Sequence, residues 1–335
     1  MQTSPIPNSD LEEVNRLIAK ASSARMQNDY ASLISAGGEL ERLGCYAEAW
    51  RALAEGAELR ADITDRIWKG PQDSRKILHL RRLIRHVGAE LRNARFINNA
   101  LADVEKVIVT TEQRLIPLFK RTFPLADFVD ISDAASVLDT GCISSYERLA
   151  LYYGSTRSAI SSTFQPLKAR PLSGHPSGGL GISWYSSNKR KPLPTIEDWA
   201  SGLANIDQPL QSLQYDEEEA GIHKLSSLSG REISSSQPID QIADLDGFAS
   251  QVAAVTGVLT ISNTTAHMAG ALGIPCVVLL DDCQHLTWPG QGRQSPFYPN
   301  MILVRQGGRP WREVIDEGLD LILRSIKLQV RSISC

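Results

Sequence analysis

The most constraining feature of the sequence is residues 258–282, where two apolar runs enclose one short helical pattern. Residues 258–261 and 276–280 are apolar throughout, which is typical of strands covered on both faces of a sheet. Residues 266–272 have the pattern of a helix, with a polar turn before them and a glycine after them. This order predicts a right-handed β-α-β unit with two parallel strands.

The polar residues of this stretch follow the ends of the two predicted strands. They are Ser262, Asn263, Thr264 and Thr265 after the first strand, and Asp281 and Asp282 after the second. Because ligands of open α/β sheets bind at the carboxyl ends of the strands, we expect both groups at one edge. A helix N-terminus at that edge offers N–H groups and partial positive charge, which suit a phosphate. An ordinary capped helix in a buried sheet explains the same local pattern equally well.

The composition limits the class of protein. The chain has 335 residues, 22% of them charged and 42% hydrophobic, as expected for a globular protein of two domains or one large one. Its net charge of −3 argues against binding nucleic acid through bulk charge. No apolar run approaches the roughly 20 residues of a membrane span, and a signal-peptide pattern is lacking. The five cysteines form no CxxC pair, so we expect a cytoplasmic protein with reduced thiols and no zinc site.

The rest of the chain alternates between helical and strand patterns. Residues 10–59 are helical in periodicity, and residues 76–95 predict a strand, a loop and the start of a helix. Further strands are predicted at 104–110, 128–131, 180–184, 210–214 and 301–304, and helices at 114–122, 144–153, 244–254 and 311–327. Asp246 is the expected cap of the helix at 244–254, and the serine-rich residues 222–239 are expected to form a loose loop. The alternation predicts parallel sheets in an α/β fold.

The segment SNTTAHMAGALGIPCVVLLDD, followed by HLTWP and SPFYPNMILVRQ, resembles bacterial glycosyltransferases that follow tetratricopeptide repeats. That family has the GT-B fold and is related to the heptosyltransferases and, more distantly, to O-GlcNAc transferase. The resemblance extends over residues 39–315, and LERLGCYAEAWRALAEGAELR is similar to one tetratricopeptide unit. It implies two Rossmann-like domains preceded by a short α-helical tetratricopeptide-like segment. The implied division is 1–70, an acceptor domain at 71–172, a nucleotide-sugar donor domain at 173–310, and a C-terminal helix at 311–335.

The resemblance also implies a donor-binding set. Its members are Ser186, Ser187, Lys189, Gln214, Tyr215, Ser262, Asn263, Thr264, Thr265, His267 and Asp282. Hydroxyls, backbone N–H groups and a lysine suit a diphosphate leaving group, with Lys189 the first choice for the charge and Lys191 the second. A solvated basic loop is the alternative for Lys189, and a helix histidine bonded to a nearby carbonyl is the alternative for His267.

One departure from the family affects catalysis. The family usually has Gly-Asp after its first strand, with the Asp as presumed base, whereas this chain has Gly88 and Ala89, followed by Glu90. An inverting transferase needs a proton acceptor near the acceptor hydroxyl, so Glu90 and His86 are the candidate catalytic residues. A loop histidine and a carboxylate in the first turn of a helix are the structural alternatives.

Two classes of function stay open at this stage. The first is a metal-independent glycosyltransferase that moves a sugar from a nucleotide-sugar to a protein or glycan acceptor, with no cofactor. The second is a GT-B scaffold whose catalysis has lapsed and which acts as a binding module, with the helical segment as a site for a partner. Ala89 favours the second class and the complete polar set favours the first, which we prefer.

Overall fold

The computed structural model describes residues 8–63, 66–83, 87–137, 141–172, 178–188, 191–215, 218–235, 239–283 and 287–333. The chain divides into two compact units. The first comprises Met1–Ile116, Phe123–Phe164 and Gln284–Gly292, and the second comprises Pro117–Thr122, Gln165–Cys283 and Arg293–Cys335. The division into four segments stays a prediction.

Three helices open the first unit and confirm the helical periodicity of the N-terminal residues. They are α1 (Asn8–Met26), α2 (Tyr30–Arg42) and α3 (Tyr46–Ala61). The Asp29 side chain accepts a hydrogen bond from the Ser32 N–H at 3.1 Å and so caps α2. Gly44 has a φ of 83° and allows the tight turn into α3. A Cβ at Gly56 would lie 2.9 Å from the Ile34 side chain, so the close crossing of α2 and α3 requires a glycine.

A four-stranded parallel sheet follows, in the order β3-β2-β1-β4. Its strands are β1 (Ile77–Arg81), β2 (Lys106–Thr111), β3 (Asp127–Asp130) and β4 (Cys142–Ser145). The helices of this region are α4 (Val87–Asn93), α5 (Ile97–Asp103), α6 (Ile116–Thr122), α7 (Tyr146–Tyr153) and α8 (Arg157–Ser162). The predictions of β1, β2 and β3 are confirmed. The sequence pattern misses β4, because half of its fully buried residues are serines.

The second unit contains a six-stranded parallel sheet in the order β10-β9-β8-β5-β6-β7. Its strands are β5 (Leu180–Ser183), β6 (Leu210–Ser212), β7 (Ile233–Ser234), β8 (Gly257–Ile261), β9 (Cys276–Leu280) and β10 (Met301–Arg305). Its helices are α9 (Ile196–Leu203), α10 (Glu218–Ser229), α11 (Leu245–Ala254), α12 (Thr264–Leu272) and α13 (Trp311–Ile333). Val258 lies opposite Cys276 in the parallel pair of β8 and β9, which confirms the predicted β-α-β unit.

Helices α9 and α13 bury the apolar core on one side of this sheet. Trp199, Val314 and Ile315 are each fully buried, and burial of side chains of this size stabilises the fold by roughly 1.5–3 kcal/mol each. A Cβ at Gly202 would lie 2.6 Å from the Ile315 side chain, so the absence of a side chain on α9 lets the two helices approach.

The prediction of a loose loop at residues 222–239 is wrong. The chain there forms most of α10 and the short strand β7. Leu225 and Ile233 are buried, whereas Ser227 and Leu228 are exposed, so only some of the apolar residues of this region reach the core. The many serines conceal that pattern, because a serine on the solvent face of a helix resembles a loop residue in the sequence.

The predicted cap of α11 is also wrong, by two residues. The Asp244 side chain accepts a hydrogen bond from the Gly247 N–H at 2.8 Å, which makes Asp244 the N-cap. Asp246 lies in the first turn of the helix and forms an ion pair with Arg121 of α6.

Candidate functional site

The topology of the second sheet marks one edge as a ligand site. From β5 the chain continues to β6 and β7 on one side, and from β8 it continues to β9 and β10 on the other side. The direction of winding therefore reverses between the neighbouring strands β5 and β8. In open α/β sheets the crevice at such a reversal, beyond the carboxyl ends of the strands, is the usual place for a ligand.

The Gln214 side chain holds the chain that leaves β5. Its Oε1 accepts hydrogen bonds from the Ser183 hydroxyl at 3.1 Å, the Trp184 N–H at 2.9 Å and the Tyr185 N–H at 2.8 Å. Its amide Nε2 donates to the carbonyl oxygen of Tyr215. Gln214 is buried and follows the end of β6. Its hydrogen bonds therefore tie the backbone that leaves β5 to the end of β6.

Asn263 joins the end of β5 to the beginning of α12. Its Oδ1 accepts from the Ala266 N–H at 3.2 Å, which caps the helix, and from the Thr260 hydroxyl at 3.1 Å. Its Nδ2 donates to the Ser183 hydroxyl at 2.9 Å. The Thr265 hydroxyl lies 3.3 Å from the same Ser183 oxygen. The structure therefore brings Asn263, Thr265 and Gln214 together, as the pattern predicts, around Ser183.

The remaining predicted residues of this edge lie closer to solvent. Ser262 and Thr264 are half-buried at the tip of α12, and Tyr215 is half-buried after β6. In the loop after β5, Ser187 is exposed and Ser186 is buried, with its hydroxyl accepting from the Asn188 N–H at 3.3 Å. The buried members hold the backbone, and the half-buried and exposed members are accessible from solvent.

A lysine also lies at this edge. Lys189, the first choice for the charge, is outside the described residues, whereas Lys191 is described and half-buried. The Lys191 ammonium group donates to the Ser262 carbonyl oxygen. Burial lowers the pKa of Lys191, and the negative charge of Asp281 opposes that shift. The second-choice lysine therefore touches the residue that precedes the helix cap.

His267 and Asp282 have defined partners. His267 is buried on α12, and its Nδ1 lies 3.0 Å from the Tyr298 hydroxyl. The two oxygens of Asp282 accept from the N–H groups of Gly307 at 2.7 Å and Gly308 at 2.9 Å. Both glycines have positive φ, so Asp282 stabilises a turn after β10 that other residues rarely adopt. Their roles in donor binding stay predictions.

In the first unit, Glu90 lies on α4 as part of a buried cluster. One of its oxygens lies 3.1 Å from the Arg82 guanidinium, and the other lies 3.4 Å from the Tyr146 hydroxyl. Burial raises the pKa of Glu90, and Arg82 opposes that shift. A raised pKa suits a general base, but the carboxylate is enclosed by these partners. His86 lies outside the described residues.

Several residues that shape the site have no clear signal in the sequence. Ser183 ends β5 within an apolar run, and Thr260 lies inside β8, yet both hydroxyls bind the Asn263 side chain. A polar residue near the end of an otherwise apolar strand is the one pattern that identifies them. Among the described residues, no three His, Cys, Asp or Glu side chains are grouped as a metal site requires. Nor is any helix described here long and apolar enough to cross a membrane.

Comparison with known proteins gives one related sequence. No protein-family model matches the chain. Protein FlbA of Caulobacter vibrioides is 26% identical over an alignment of 224 residues that covers 58% of this chain. The match covers 37% of FlbA, so the chain spans little more than a third of that protein's length.

Solved structures are similar in fold. The glycosyl transferase of family 9 from Veillonella parvula has a TM-score of 0.53 and 9% identity, and the alignment covers 77% of this chain and 98% of that chain. The ADP-heptose LPS heptosyltransferase II of Escherichia coli has a TM-score of 0.50 and 11% identity over 75% of this chain and 99% of that chain. The E. coli heptosyltransferase WaaC with ADP has a TM-score of 0.51 and 9% identity over 75% and 99%. The chain is therefore a mixed α/β protein with parallel sheets, similar in fold to GT-B glycosyltransferases.

Proposed function

We propose that the chain is a glycosyltransferase and that its second unit binds the diphosphate of a nucleotide-sugar at the N-terminus of α12. The observation that carries the proposal is the hydrogen-bonded edge around Ser183, where Gln214, Asn263 and Thr265 hold two strand ends and a helix tip together. This edge lies at the reversal of strand order, where open α/β sheets bind ligands. The fold likeness to heptosyltransferases, one of them described with ADP, supports the same class of donor.

The chemistry of the edge suits a departing diphosphate. Negative charge develops on the leaving group as the sugar is transferred, and fixed donors stabilise it. The N–H groups and dipole of α12, the hydroxyl of Thr264 and the ammonium of Lys191 are such donors. Because these groups supply positive charge themselves, we propose transfer without a metal ion and without a cofactor. His267, next to this tip, is a further proposed donor to the phosphate.

Transfer also needs a group that takes the proton of the acceptor hydroxyl. Glu90 and His86 are the proposed candidates, since Ala89 has no group that takes a proton. Glu90 is fully enclosed and bound by Arg82 and Tyr146. That enclosure favours the second candidate function, a GT-B scaffold that binds a nucleotide-sugar without transferring it. Binding of a donor with neither hydrolysis nor transfer would support this second function.

The acceptor is proposed to be a protein or a glycan. The helical segment α1–α3, which resembles a tetratricopeptide unit, is a proposed contact for a protein acceptor. One face of this segment packs against the rest of the first unit. Trp50 of α3 is fully buried there, and its indole N–H donates to the Gly154 carbonyl oxygen at 2.9 Å. The outer faces of α1 and α2 are therefore the proposed contact surface. A cytoplasmic location is part of the same proposal.

Calorimetric titration with a panel of nucleotide-sugars tests the donor site. The panel is ADP-heptose and the UDP-, GDP- and CMP-sugars, with EDTA present in a parallel series. We expect one nucleotide class to bind and Thr264→Val to weaken that binding about 10-fold or more, since a hydrogen bond to a charged group contributes about 1.5–3 kcal/mol. Thr256→Val is the matched control, because Thr256 is exposed and precedes the opposite end of β8. Absence of binding by every member of the panel would contradict the proposal.

A further inference from the structure

The first unit contains a cavity of about 700 Å³ that the donor-site proposal does not use. It lies at the carboxyl ends of β1 and β2, beside the residue that follows β3. The lining includes three arginines, one hydroxyl and apolar side chains: Arg60, Arg81, Arg82, Thr110, Leu83 and Ile131. No acidic residue belongs to the described lining. A volume of this size suits a small organic molecule, since ligand pockets are typically about 300–1,000 Å³.

Two of the three arginines are held by the protein itself. Arg82 lies 3.1 Å from Glu90 and 2.6 Å from Glu112, so its charge is balanced by two carboxylates of the protein. Arg60 of α3 donates to the Leu83 carbonyl oxygen. These contacts fix the two guanidinium groups in position at the wall before any ligand arrives.

Arg81, the last residue of β1, is different. It is half-buried and lines the cavity, and its guanidinium makes no hydrogen bond or ion pair with the described chain. The charged group that acts on it is another cation, Arg66, and burial together with this like charge lowers the pKa of Arg81. Partial burial removes part of the water around a cation, so an anionic partner in the cavity would stabilise the Arg81 guanidinium. The cavity next to Arg81 has room for an anionic partner.

We propose that this cavity is a binding site for the carboxylate or phosphate group of a small polar ligand, held by Arg81 together with Arg60 and the Thr110 hydroxyl. A guanidinium group binds either oxyanion through two parallel hydrogen bonds, which the compact ammonium of lysine does not provide. The remaining volume accommodates the body of a sugar-sized molecule against Leu83 and Ile131. The site does not rest on the donor-site proposal, because all its residues belong to the first unit.

The test is calorimetric titration of the full chain at low ionic strength with four probes. They are glucose 6-phosphate, glucuronate, inorganic phosphate and neutral glucose. We expect glucose 6-phosphate, glucuronate or both to bind and glucose not to bind. The sugar that binds identifies the anion as phosphate or carboxylate. Binding by inorganic phosphate alone, with no preference for either sugar, would overturn the proposal of a small-molecule site.

Variants assign the binding to this cavity. Arg81→Gln is expected to weaken it by about 10- to 100-fold, because it removes charge-assisted hydrogen bonds. Arg51→Gln, on the exposed face of α3, is the matched control and should bind as the wild type does. Because Arg81 has no hydrogen-bond or ion-pair partner among the described residues, Arg81→Gln should also unfold at the wild-type temperature or above it. Equal binding by Arg81→Gln, or loss in Thr264→Val instead, would place the anion elsewhere and overturn the proposal.

Discussion

Replacement of Gln214 by leucine is the sharpest test of how the candidate donor site is built. A single oxygen of this buried side chain accepts from the Trp184 N–H at 2.9 Å and the Tyr185 N–H at 2.8 Å. Because both of these partners are N–H donors, the atom of the Gln214 amide that faces them must be the oxygen and not the nitrogen. Gln214→Leu keeps a similar volume and removes the acceptor, which leaves both N–H groups without their partner.

The magnitude follows from those two N–H groups. A buried donor without a partner costs about 1–3 kcal/mol, and Trp184 is only 8% exposed, so its N–H carries the full penalty. Tyr185 is half-buried and its N–H carries less, because water reaches it. Leucine returns part of the loss through apolar burial, at about 0.8 kcal/mol per buried methylene. We expect Gln214→Leu to lower the free energy of unfolding by about 2–4 kcal/mol.

Two measurements check this expectation. Urea-induced unfolding followed by circular dichroism gives the change in free energy, and hydrogen exchange with mass spectrometry gives the protection of residues 184 and 185. Gln211→Leu is the matched control, because Gln211 lies on β6, is also buried, and its side chain makes no hydrogen bond with the described chain. The control should change the free energy by less than about 0.5 kcal/mol.

Comparison of the two variants tests whether the Gln214 side chain holds the loop after β5. Faster exchange at residues 184 and 185 in Gln214→Leu, with wild-type exchange in Gln211→Leu, is the expected pattern. Equal stability of both variants, with those two amides still protected, would refute the idea that this side chain holds the loop. If the donor proposal is also correct, Gln214→Leu should bind the nucleotide-sugar more weakly than Gln211→Leu does.

Three further predictions concern buried groups and close packing. Arg92→Met should destabilise the first unit by about 3–5 kcal/mol in urea unfolding, because it leaves the buried Glu41 carboxylate without its 2.5 Å ion-pair partner. Burial raises the pKa of Glu147 above 4.5, so its contribution to stability is fully present below pH 4.5 and is lost as the pH rises through the raised pKa. Glu147→Gln should therefore flatten the fall in unfolding free energy as the pH rises above 4.5. Gly270→Ala should lower the melting temperature, because its Cβ would lie 2.6 Å from the Tyr298 ring and overpacking costs about 1–3 kcal/mol.

Each of these predictions has a control or a contrary outcome. Arg16→Met removes an exposed ion pair with Glu13 and should cost much less than Arg92→Met, so an equal loss in both arginine variants would contradict the argument from burial. An unchanged pH dependence in Glu147→Gln would show that other carboxylates govern this range. Ala271→Gly, next to Gly270 on α12, is the control for Gly270→Ala. It adds the cost of a glycine inside a helix and adds no methyl group that could overpack the core. If Gly270→Ala melted above the wild type, helix propensity would outweigh the contact.

The sequence by itself determined much of the fold. The apolar runs before and after the turn at Ser262 predicted β8, α12 and β9 and the parallel direction of the two strands, because strands buried on both faces leave a continuous apolar pattern. The resemblance of the C-terminal half predicted a GT-B-like α/β protein, and the solved structures are similar in fold. Periodicity failed where serines are frequent, because they are buried in β4 and lie partly on the solvent face of α10. The identity of a serine in the sequence does not show whether it lies in a core or in a loop.

Residues of the candidate site were predicted from the sequence, but their individual roles were not. The sequence pointed to Gln214, Asn263 and Thr265 as one group, and their hydrogen bonds around Ser183 occur at one edge of the sheet. Which residues hold the backbone and which face a ligand was decided only by the tertiary structure, because burial depends on all neighbouring elements. The same holds for Arg81, an ordinary arginine in the sequence. It becomes a candidate anion site only because strands β1 and β2 end beside helix α3 and, within the part of the chain that the structure describes, leave its charge without a partner.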